Sequence, residues 1–393
     1  MATTAQHFMF ESKKSSRAAT EGSRHIATAV CSETLTESKS ARRIARRFDP
    51  LTDARWDTFV NKHHRASLFH SSPWLEALNR TYGYKVTGYT TSAPSEELEN
   101  AMIFCRVESW LTGRRLVSLP FSDHCEPLVD HQDDLQALVA LLEEEMRRAK
   151  WRYIEVRPFA PIDVPPSLHS RNIHYNFFEV DLRPDLETIF RNLHKDSIQR
   201  KILRAQREKL CYEEGTSDLL LNDFYRLMTR TRRRYRVPPQ PKSWFQNLIH
   251  CFGDALKIRI ARKEGRALAG MLTVRHKDTL VYKYGASDFR YNNLGGMHLL
   301  YWTSIQEGKA SGLRFFDLGR TDADQTGLIT FKKRWGAKES LLTYSRYAIS
   351  EDASHMFDLS SPTRKSTAAR ELLAYLPNGL LSLLGRALYK HVG

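Results

Sequence analysis

The sequence predicts an α+β protein built from two successive units, each with a mixed, largely antiparallel sheet flanked by helices. Its 393 residues, of which 41% are apolar, are enough for about two domains of roughly 150 residues each. Short runs rich in β-branched and aromatic residues, with Gly or Pro at their ends, are typical of strands. Longer stretches between them carry apolar residues at helical spacing, as in residues 133–150. The alternation of the two patterns indicates the α+β class.

The first unit spans residues 43–176. Its elements follow a simple order, with an opening strand, two helices, three strands, an amphipathic helix and a closing strand. We predict these elements at residues 43–49, 56–62, 73–81, 84–92, 100–110, 114–122, 133–150 and 153–158.

The second unit, residues 177–350, repeats this plan with additional helices. We predict strands at residues 177–182, 256–264, 266–276, 279–287, 314–319 and 341–349. We predict helices at residues 186–209, 219–236, 244–252, 296–311 and 329–335. Because both units place three antiparallel strands, a helix and a further strand in the same order, we expect an internal duplication.

The two ends differ from these units in composition. Residues 1–42 lack apolar periodicity and are rich in Ser, Thr, Ala and basic residues, so we predict a disordered basic tail. Residues 351–393 predict a loop and two amphipathic helices, separated near Pro377 and Gly379. Their leucine-rich face is expected either to pack on the second unit or to lie in a membrane interface, since Arg386 and Lys390 accompany it.

Composition also limits the partners. The 60 Lys and Arg against 45 Asp and Glu give a net charge of +15, which favours an anionic partner. A phosphate-bearing small molecule, a lipid-linked diphosphate, a tRNA and acidic phospholipid all remain open, but no module that reads nucleic-acid sequence is present. The five cysteines contain no C-x-x-C pair, which argues against a metal site or a disulfide framework. No uncharged apolar run is long enough to span a bilayer, so we expect a cytoplasmic protein, peripheral at most at the inner face of the membrane.

Candidate site residues cluster in the second unit. Tyr282 and Tyr284 alternate on one strand, so we expect both on one face, where they can line a cleft. One core and one rim tyrosine with packing roles alone explain the pattern equally. Gly295 and Gly296 precede a helix whose free backbone N–H groups favour an anion such as a cofactor phosphate, although a tight turn without a ligand explains them equally.

The segment at residues 315–337 carries the strongest chemical signal. Asp317 ends a strand, Arg320 projects from the following turn, and Lys332 lies on a short helix. A lysine fixed beside a cleft suits a reaction that develops an oxyanion, because it stabilises that charge most in the transition state. A solvated charged face is the alternative interpretation. Upstream, five arginines between residues 230 and 236 repel one another unless an anion or an acidic surface faces them, and a solvated basic face is the alternative.

The motifs YGASD, FDLGRT, GLITFKKRWGA and LTYSRY together resemble the GNAT-superfamily half of Fem-type proteins. The likeness extends to FHSSPWLEAL, LPFSD, HKDSIQRKILRAQRE and FYRLMTRTRRRYRVPPQP, so it runs from about residue 43 to residue 349. This family includes aminoacyl-tRNA-dependent transferases that build peptidoglycan cross-bridges, and related CelD-like proteins of exopolysaccharide and cellulose systems. The resemblance implies tandem GNAT-like (acyl-CoA N-acyltransferase) domains with an acceptor groove at their junction.

The resemblance also implies residue roles. Lys332, in FKKRWG, matches a lysine that stabilises the tetrahedral intermediate, and Tyr284 matches a tyrosine of the strand before YGAS. Tyr225 and Arg232 match the tyrosine and arginine that hold the acceptor's phosphate and sugar. Trp74 matches an aromatic anchor of the first domain.

Asp123, in LPFSD, matches an aspartate of that first domain. The loop before the helix at residue 296 departs from the usual coenzyme A pattern at Asn292 and Met297, and no long coiled-coil arm is evident. We therefore expect no tightly bound cofactor, with acyl-CoA or aminoacyl-tRNA as the donor substrate.

These observations predict a GNAT-type N-acyltransferase or aminoacyltransferase that acts on an amine of a cell-envelope or polysaccharide precursor. Lys332 is expected to stabilise the oxyanion, while Asp123, Asp317 and the substrate itself remain candidates for the base. The alternative is a non-catalytic GNAT-like binding or assembly factor in an exopolysaccharide (cellulose-type) system.

Overall fold

The strands of the two predicted units join into one mixed sheet. The computed structural model describes residues 43–110, 113–351 and 377–392, and within them twelve strands hydrogen-bond in a single sheet. The strands are β1 (Arg46–Phe48), β2 (Lys85–Thr90), β3 (Met102–Ser109), β4 (Gly113–Val117), β5 (Ile154–Val156), β6 (His169–Asp181), β7 (Cys211–Gly215), β8 (Leu256–Lys263), β9 (Arg266–His276), β10 (Thr279–Ser287), β11 (Phe315–Asp322) and β12 (Lys338–Ala348). Their spatial order is β1-β2-β3-β4-β5-β12-β6-β11-β10-β9-β8-β7.

Helices cover both faces of this sheet. They are α1 (Arg55–Lys62), α2 (Ser72–Tyr82), α3 (Gln132–Ala149), α4 (Leu186–Asn192), α5 (Arg200–Arg207), α6 (Asp218–Arg234), α7 (Lys242–Phe252), α8 (Gly296–Ala310), α9 (Thr326–Arg334) and α10 (Asn378–Val392). The α+β class and the largely antiparallel sheets are therefore confirmed.

Two parallel strand pairs interrupt the antiparallel pattern, and they occupy equivalent places in the two units. In the first unit β4 pairs with β5 after the α3 crossover, and in the second β10 pairs with β11 after α8. The last strand, β12, lies between β5 and β6 and pairs antiparallel with both. The sheet thus runs from one unit into the other, and the boundary at residues 176/177 stays a prediction.

Hydrophobic cores on the two faces follow the same arrangement. The largest cluster combines α1 and α2 of the first unit with α6 and α7 of the second, and Trp74 and Trp244 meet edge to face within it. A second cluster lies under α8 and contains Trp335, and a third lies under α3. Because α2 and α7 share one core, the two units bury apolar surface together on that face.

The predicted long basic helix at residues 186–209 is wrong in one respect. It is divided into α4 and α5 because Leu193 has an extended backbone and His194 begins a new turn, its side chain accepting the backbone N–H of Ser197 at 3.3 Å. Two strands also differ from expectation. β7 was not predicted, and β6 begins at His169 because residues 169–176 pair along β12.

The predicted tail at residues 1–42 lies outside the described residues, and so do residues 352–376. The last element is α10, which begins directly after Pro377 and includes Gly379 in its first turn. The helix predicted before Pro377 lies outside the described residues, so the predicted break between two helices stays a prediction. The helix α10 docks on the chain through buried Leu381, and Gly385 lets it approach the Pro239 carbonyl closely. The Tyr84 hydroxyl donates to the Tyr389 carbonyl at 3.1 Å. None of the helices in the described ranges combines the length and apolarity that crossing a membrane requires.

Candidate functional site

The candidate site lies where the parallel strands β10 and β11 separate. They pair only through residues 279–281 and 315–317. Beyond this point a cleft of about 350 Å³ opens between residues 282–285 and 318–322. The end of α6, the inner face of α9 and the loop that carries Asp123 complete its walls. The predicted residues that line this cleft are Asp123, Arg232, Tyr282, Tyr284, Arg320 and Lys332.

A β-bulge in β10 decides which side chains face the cleft. The pairing with β9 shifts between Tyr282 and Tyr284, so Lys283 is the extra residue. As a result Tyr282 packs in the α8 cluster and Tyr284 in the α7 cluster, on opposite faces of the sheet. The expectation that both tyrosines share one face is wrong, because the bulge interrupts the two-residue period on which it relied. Both tyrosines nevertheless line the cleft, as expected.

Lys283 is the site residue that sequence reasoning missed. Its Nζ lies 2.7 Å from Asp123 Oδ2, and both groups are largely buried. The ammonium also lies over the rings of Phe69 and Trp74, at 4.9 and 5.6 Å from their centroids. Burial alone raises the pKa of Asp123, but the charge of Lys283 and its hydrogen bond outweigh burial and lower that pKa. Asp123 is therefore an anion at neutral pH and a weak base.

Gly319 allows the first unit to reach this cleft. It has φ +72°, and a Cβ there would lie 3.3 Å from Asp123 Oδ2. The Tyr344 hydroxyl fixes the same loop by donating to the Asp123 carbonyl at 2.7 Å. A carboxylate from the loop after β4 thus enters the cleft between β10 and β11. The pattern LPFSD predicts this aspartate as a site residue but does not predict that it lies between these two strands.

Lys332 forms the wall opposite. Its Nζ donates to the carbonyls of Gly319 and Arg320 at 2.9 and 3.2 Å, which leaves its third hydrogen for a ligand. Burial is the main reason that the pKa of Lys332 falls to about 8, and Asp123 and Asp317 limit the fall. The ammonium is therefore mostly protonated at pH 7 and fixed in position, which is the arrangement that oxyanion stabilisation requires.

The cleft is positively charged overall. Arg320 lies over the Tyr175 ring at 4.2 Å and donates to Asp322 Oδ1 at 3.0 Å, while Arg232 enters from α6. Four cationic and two carboxylate side chains line it, namely Arg232, Lys283, Arg320, Lys332, Asp123 and Asp322. An anionic or carbonyl-bearing group is the ligand that this balance favours.

Three predicted residues lie away from the cleft. Asp317 is buried behind it, with Oδ1 accepting the N–H of Gly319 at 2.6 Å, and it lines a separate cavity. Trp74 is fully buried beneath Lys283 and so supports that side chain from within the core. The Tyr225 hydroxyl lies 3.2 Å from both the Gln240 carbonyl and Ser382 Oγ, so it faces α10. Substrate contact by Tyr225 or Trp74 stays a prediction that this placement does not support.

The glycine pair before α8 has a packing explanation. Gly295 has φ +84°, and a Cβ there would lie 2.4 Å from the Lys201 carbonyl of α5. A Cβ on Gly296 would lie 3.1 Å from Ala269 Cβ. Close approach of α5 and β9 therefore requires both glycines, and cofactor binding at this turn stays a prediction.

The arginines at the end of α6 are partly compensated from within the chain. Arg230 and Arg290 both pair with Asp288, at 2.9 and 2.6 Å, and Arg234 lies over the exposed ring of Phe289 at 5.2 Å. These contacts reduce the mutual repulsion that the sequence suggested. Arg232 differs from these arginines because it lines the cleft.

One group among the described residues has the side-chain types of a metal site. Ligand atoms of His63, His64 and Asp130 lie within 4.8 Å of one another. However, the backbone N–H of Arg65 donates to Nδ1 of His63 at 3.2 Å, so the proton of the neutral ring is on Nε2. Arg65 also pairs with Asp130 at 2.7 Å. The group is thus arranged for ion pairing, and the expectation of no metal stays a prediction.

Comparison with known proteins agrees with this geometry. The Acetyltransferase (GNAT) domain family matches residues 194–333, which contain β10, β11 and Lys332. An alanyltransferase of Weissella viridescens, UDP-N-acetylmuramoylpentapeptide-lysine N(6)-alanyltransferase, is 24% identical over 38% of this chain and 45% of its own length. A lipid II:glycine glycyltransferase of Staphylococcus saprophyticus is 32% identical over 21% of each chain. Residues 194–333 therefore match a GNAT domain, and parts of the chain are similar to these two transferases. The chain matches less than half the length of these two relatives.

Solved structures with a similar fold extend this comparison to most of the chain. The crystal structure of FemX superposes with a TM-score of 0.60 at 14% identity, covering 76% of this chain and 96% of that one. A conserved protein of unknown function from Bacteroides thetaiotaomicron gives a TM-score of 0.53 at 14% identity, over 78% and 100% of the two chains. At these identities the likeness describes the fold.

Proposed function

We propose that this protein is a Fem-type N-acyltransferase or aminoacyltransferase that acylates an amine of a cell-envelope or polysaccharide precursor. One observation carries the proposal: the Lys332 ammonium is fixed by two backbone carbonyls at the wall of a positively charged cleft inside the GNAT domain. The names of the two relatives, an alanyltransferase and a glycyltransferase, support transfer of an aminoacyl group.

The chemistry follows from the charges of the cleft. The acceptor nitrogen forms a bond to the acyl carbon, the ester or thioester bond breaks, and the amine loses a proton as the leaving alcohol or thiol gains one. Negative charge develops on the carbonyl oxygen, and the free hydrogen of Lys332 is placed to stabilise it. Asp123, held as an anion by Lys283, is too weak a base to deprotonate an alkylamine of pKa ~10.4 completely. We therefore expect the acceptor nitrogen to lose its proton only after it has bonded to the acyl carbon, with the substrate or a second carboxylate as the proton acceptor.

The test is transfer by the purified full chain. Acetyl-CoA, alanyl-tRNA and glycyl-tRNA are combined with UDP-N-acetylmuramoyl pentapeptide or lipid II, and products are identified by mass spectrometry. Lys332→Ala is expected to lower turnover by about 10²- to 10³-fold, because one positioned oxyanion donor is lost. Lys333→Ala is the matched control, since its side chain is exposed and pairs with Glu339 at 2.7 Å. Turnover of Lys332→Ala within threefold of the control contradicts the proposal.

For the acceptor, we propose that Arg232 contacts a phosphate. It is the α6 arginine that lines the cleft, whereas Arg226 pairs with Asp223 at 2.6 Å on the outer surface. Arg232→Ala is expected to weaken binding of UDP-N-acetylmuramoyl pentapeptide about tenfold or more and to reduce its salt dependence. Arg226→Ala is the control. Equal affinity and salt dependence in both variants contradict a phosphate contact at Arg232.

For location, we propose contact with an anionic membrane surface through the outer face of α10. Leu380 and Leu383 are exposed there, beside exposed Arg386 and Lys390, and Trp110 is exposed next to the ring of His391. Replacing Leu380, Leu383 and Leu384 by Ser leaves the docked side of the helix intact and is expected to abolish co-sedimentation with phosphatidylglycerol vesicles at low salt. Leu341→Ser is the control, because Leu341 is exposed on β12. Co-sedimentation that survives the triple change contradicts this contact.

A further inference from the structure

A second cavity adjoins the cleft behind Asp317. Its volume is about 590 Å³, and apolar side chains form much of its wall. The aromatic part of that wall consists of Phe69, Phe159, Phe177 and Phe315. Asp123 lines the cleft and the next residue, His124, lines this cavity, so one loop separates the two spaces.

Two carboxylates face each other in this cavity. Glu179 on β6 and Asp317 on β11 are direct partners in the antiparallel register, and both line the cavity. Like charges directly opposite each other in a sheet are destabilising, since their Cβ atoms are only ~5 Å apart. Burial, and after it the charge of Asp317, raise the pKa of Glu179 to about 7. Asp317 is partly compensated from the side of the cleft, because its charge favours the protonated forms of Lys283 and Lys332. Glu179 has no ion-pair partner among the described residues.

The cations that line the cavity are already engaged elsewhere. Arg65 pairs with Asp130 at 2.7 Å, Lys277 donates to the His63 carbonyl at 2.7 Å, and Arg314 pairs with Asp278 at 3.3 Å. On the other side of β6, Lys338 is the register partner of Glu179, yet no ion pair within 4.0 Å joins Glu179 to any residue the structure describes.

His124 is a further polar group without a full set of partners. It is 8% exposed, and its Nδ1 has no hydrogen-bond partner among the described residues. Its Nε2 lies 3.9 Å from Asp317 Oδ2, longer than a hydrogen bond. The rings of Phe159 and Phe177 hold it at centroid distances of 4.9 and 5.3 Å. A buried imidazole in this state indicates a space arranged for a polar ligand.

We propose that this cavity binds a primary alkylammonium group, with the ammonium between Glu179 and Asp317 and the alkyl chain against the phenylalanines. An ammonium supplies the positive charge that Glu179 lacks and donates three hydrogen bonds, and aromatic faces add a cation–π contribution. The site holds the amine next to the cleft that contains Lys332. Its role as the acceptor pocket rests on the proposed function, but its affinity for alkylammonium does not.

Binding is tested on the full chain without any donor. Isothermal titration at pH 7 compares n-pentylammonium with n-pentanol, which has the same chain and no charge. Nα-acetyl-lysine methylamide is the second amine and distinguishes a peptide-borne side chain from a free amine. We expect both amines to bind at least tenfold more tightly than the alcohol. Equal binding of n-pentylammonium and n-pentanol overturns the proposal.

Variants locate the site. Glu179→Gln is expected to weaken n-pentylammonium binding about tenfold, whereas Glu187→Gln, an exposed change on α4, leaves it unchanged. Affinity within twofold of the native protein in Glu179→Gln overturns the site. If amine binding is lost in this variant but transfer to a lysine acceptor keeps its native KM, the acceptor role is overturned and the ammonium site stands. If no donor supports transfer in any protein, only the proposed function fails.

Discussion

The two parallel strand pairs of the sheet end in opposite ways. After β4 and β5, the space is filled by the chain itself: Arg157 donates to the Leu119 and Ser122 carbonyls at 2.8 and 3.2 Å and pairs with Glu155 at 2.8 Å. After β10 and β11, the strands separate, and the 350 Å³ cleft with Lys283 and Lys332 opens. We call the first arrangement the Arg157 plug.

The same arrangement of two parallel strands is thus closed by an ion-pair network in the first unit and open as a cleft in the second. In the first unit a buried ion-pair network closes the strand ends and joins the units, because Arg346 of β12 also donates to Glu155 at 2.7 Å. In the second unit the space beyond β10 and β11 stays open, and Asp123, from the loop next to the plug, lies in it and pairs with Lys283. The first unit therefore contributes rigidity and one carboxylate, and the second contributes the cleft.

The largest expected effect comes from breaking the plug. Burial opposes ionisation of Glu155, but Arg157 and Arg346 outweigh it and lower its pKa to about 2. Glu155→Gln leaves two buried guanidinium groups uncompensated and is expected to reduce the free energy of unfolding by about 3–5 kcal/mol, measured by urea denaturation. Glu143→Gln, which removes a surface pair with Arg147, is expected to cost less than about 1 kcal/mol.

The same variant gives a pH signature. Because the folded pKa of Glu155 is depressed, its stabilisation is complete above the unfolded pKa of about 4.3 and is lost as the pH falls toward 2. The native protein should lose stability more steeply than Glu155→Gln across this window. Parallel stability curves, or a loss no larger than that of the Glu143 control, contradict the role of the plug.

A smaller effect is expected from the ion pair inside the cleft. Lys283→Met leaves Asp123 without its partner, although Arg320 and Lys332 remain close, so we expect a loss of about 1–3 kcal/mol in unfolding free energy. Adding Asp123→Asn removes the uncompensated charge and should recover most of that loss. If the double variant is as unstable as the sum of the single variants, the two groups are not coupled.

Transfer activity should show the titration of Lys332. Below pH 8 its ammonium is mostly protonated, and above pH 8 it loses the charge that the oxyanion requires. Lys332→Arg keeps its charge, so the ratio of kcat/KM in this variant to that in the native protein is expected to rise about tenfold from pH 8.5 to 9.5. A ratio that stays constant over this range contradicts an essential ammonium at Lys332.

The smallest effect is expected at Tyr225. Tyr225→Phe removes its hydroxyl contacts with the Gln240 carbonyl and Ser382 and is expected to cost about 1 kcal/mol of stability. Because the hydroxyl faces α10, affinity for UDP-N-acetylmuramoyl pentapeptide should not change. If Tyr225→Phe keeps native stability but binds UDP-N-acetylmuramoyl pentapeptide tenfold more weakly, Tyr225 contacts the acceptor after all.

Local patterns in the sequence determined the elements themselves. Helical and strand periodicities predicted α3, α6 and the β8–β10 meander, because a two-residue or 3.6-residue repeat depends only on neighbours in the chain. The motifs also identified the segments that form the cleft, since Asp123, Arg320 and Lys332 all line it. Residue types with a chemical role were thus visible without coordinates.

Only the tertiary structure decided how these segments meet. The bulge at Lys283 and the insertion of β12 between β5 and β6 depend on partners distant in sequence. The turn at His194 also has a distant partner, because its backbone N–H donates to the Arg334 carbonyl at 2.9 Å. A one-residue shift in pairing moves a side chain to the other face of a sheet, and the local pattern is compatible with either register. The sequence predicted Asp317 and Tyr225 as site residues together with Lys332. In the structure Asp317 lines a second cavity, and the helix α6 directs Tyr225 toward α10.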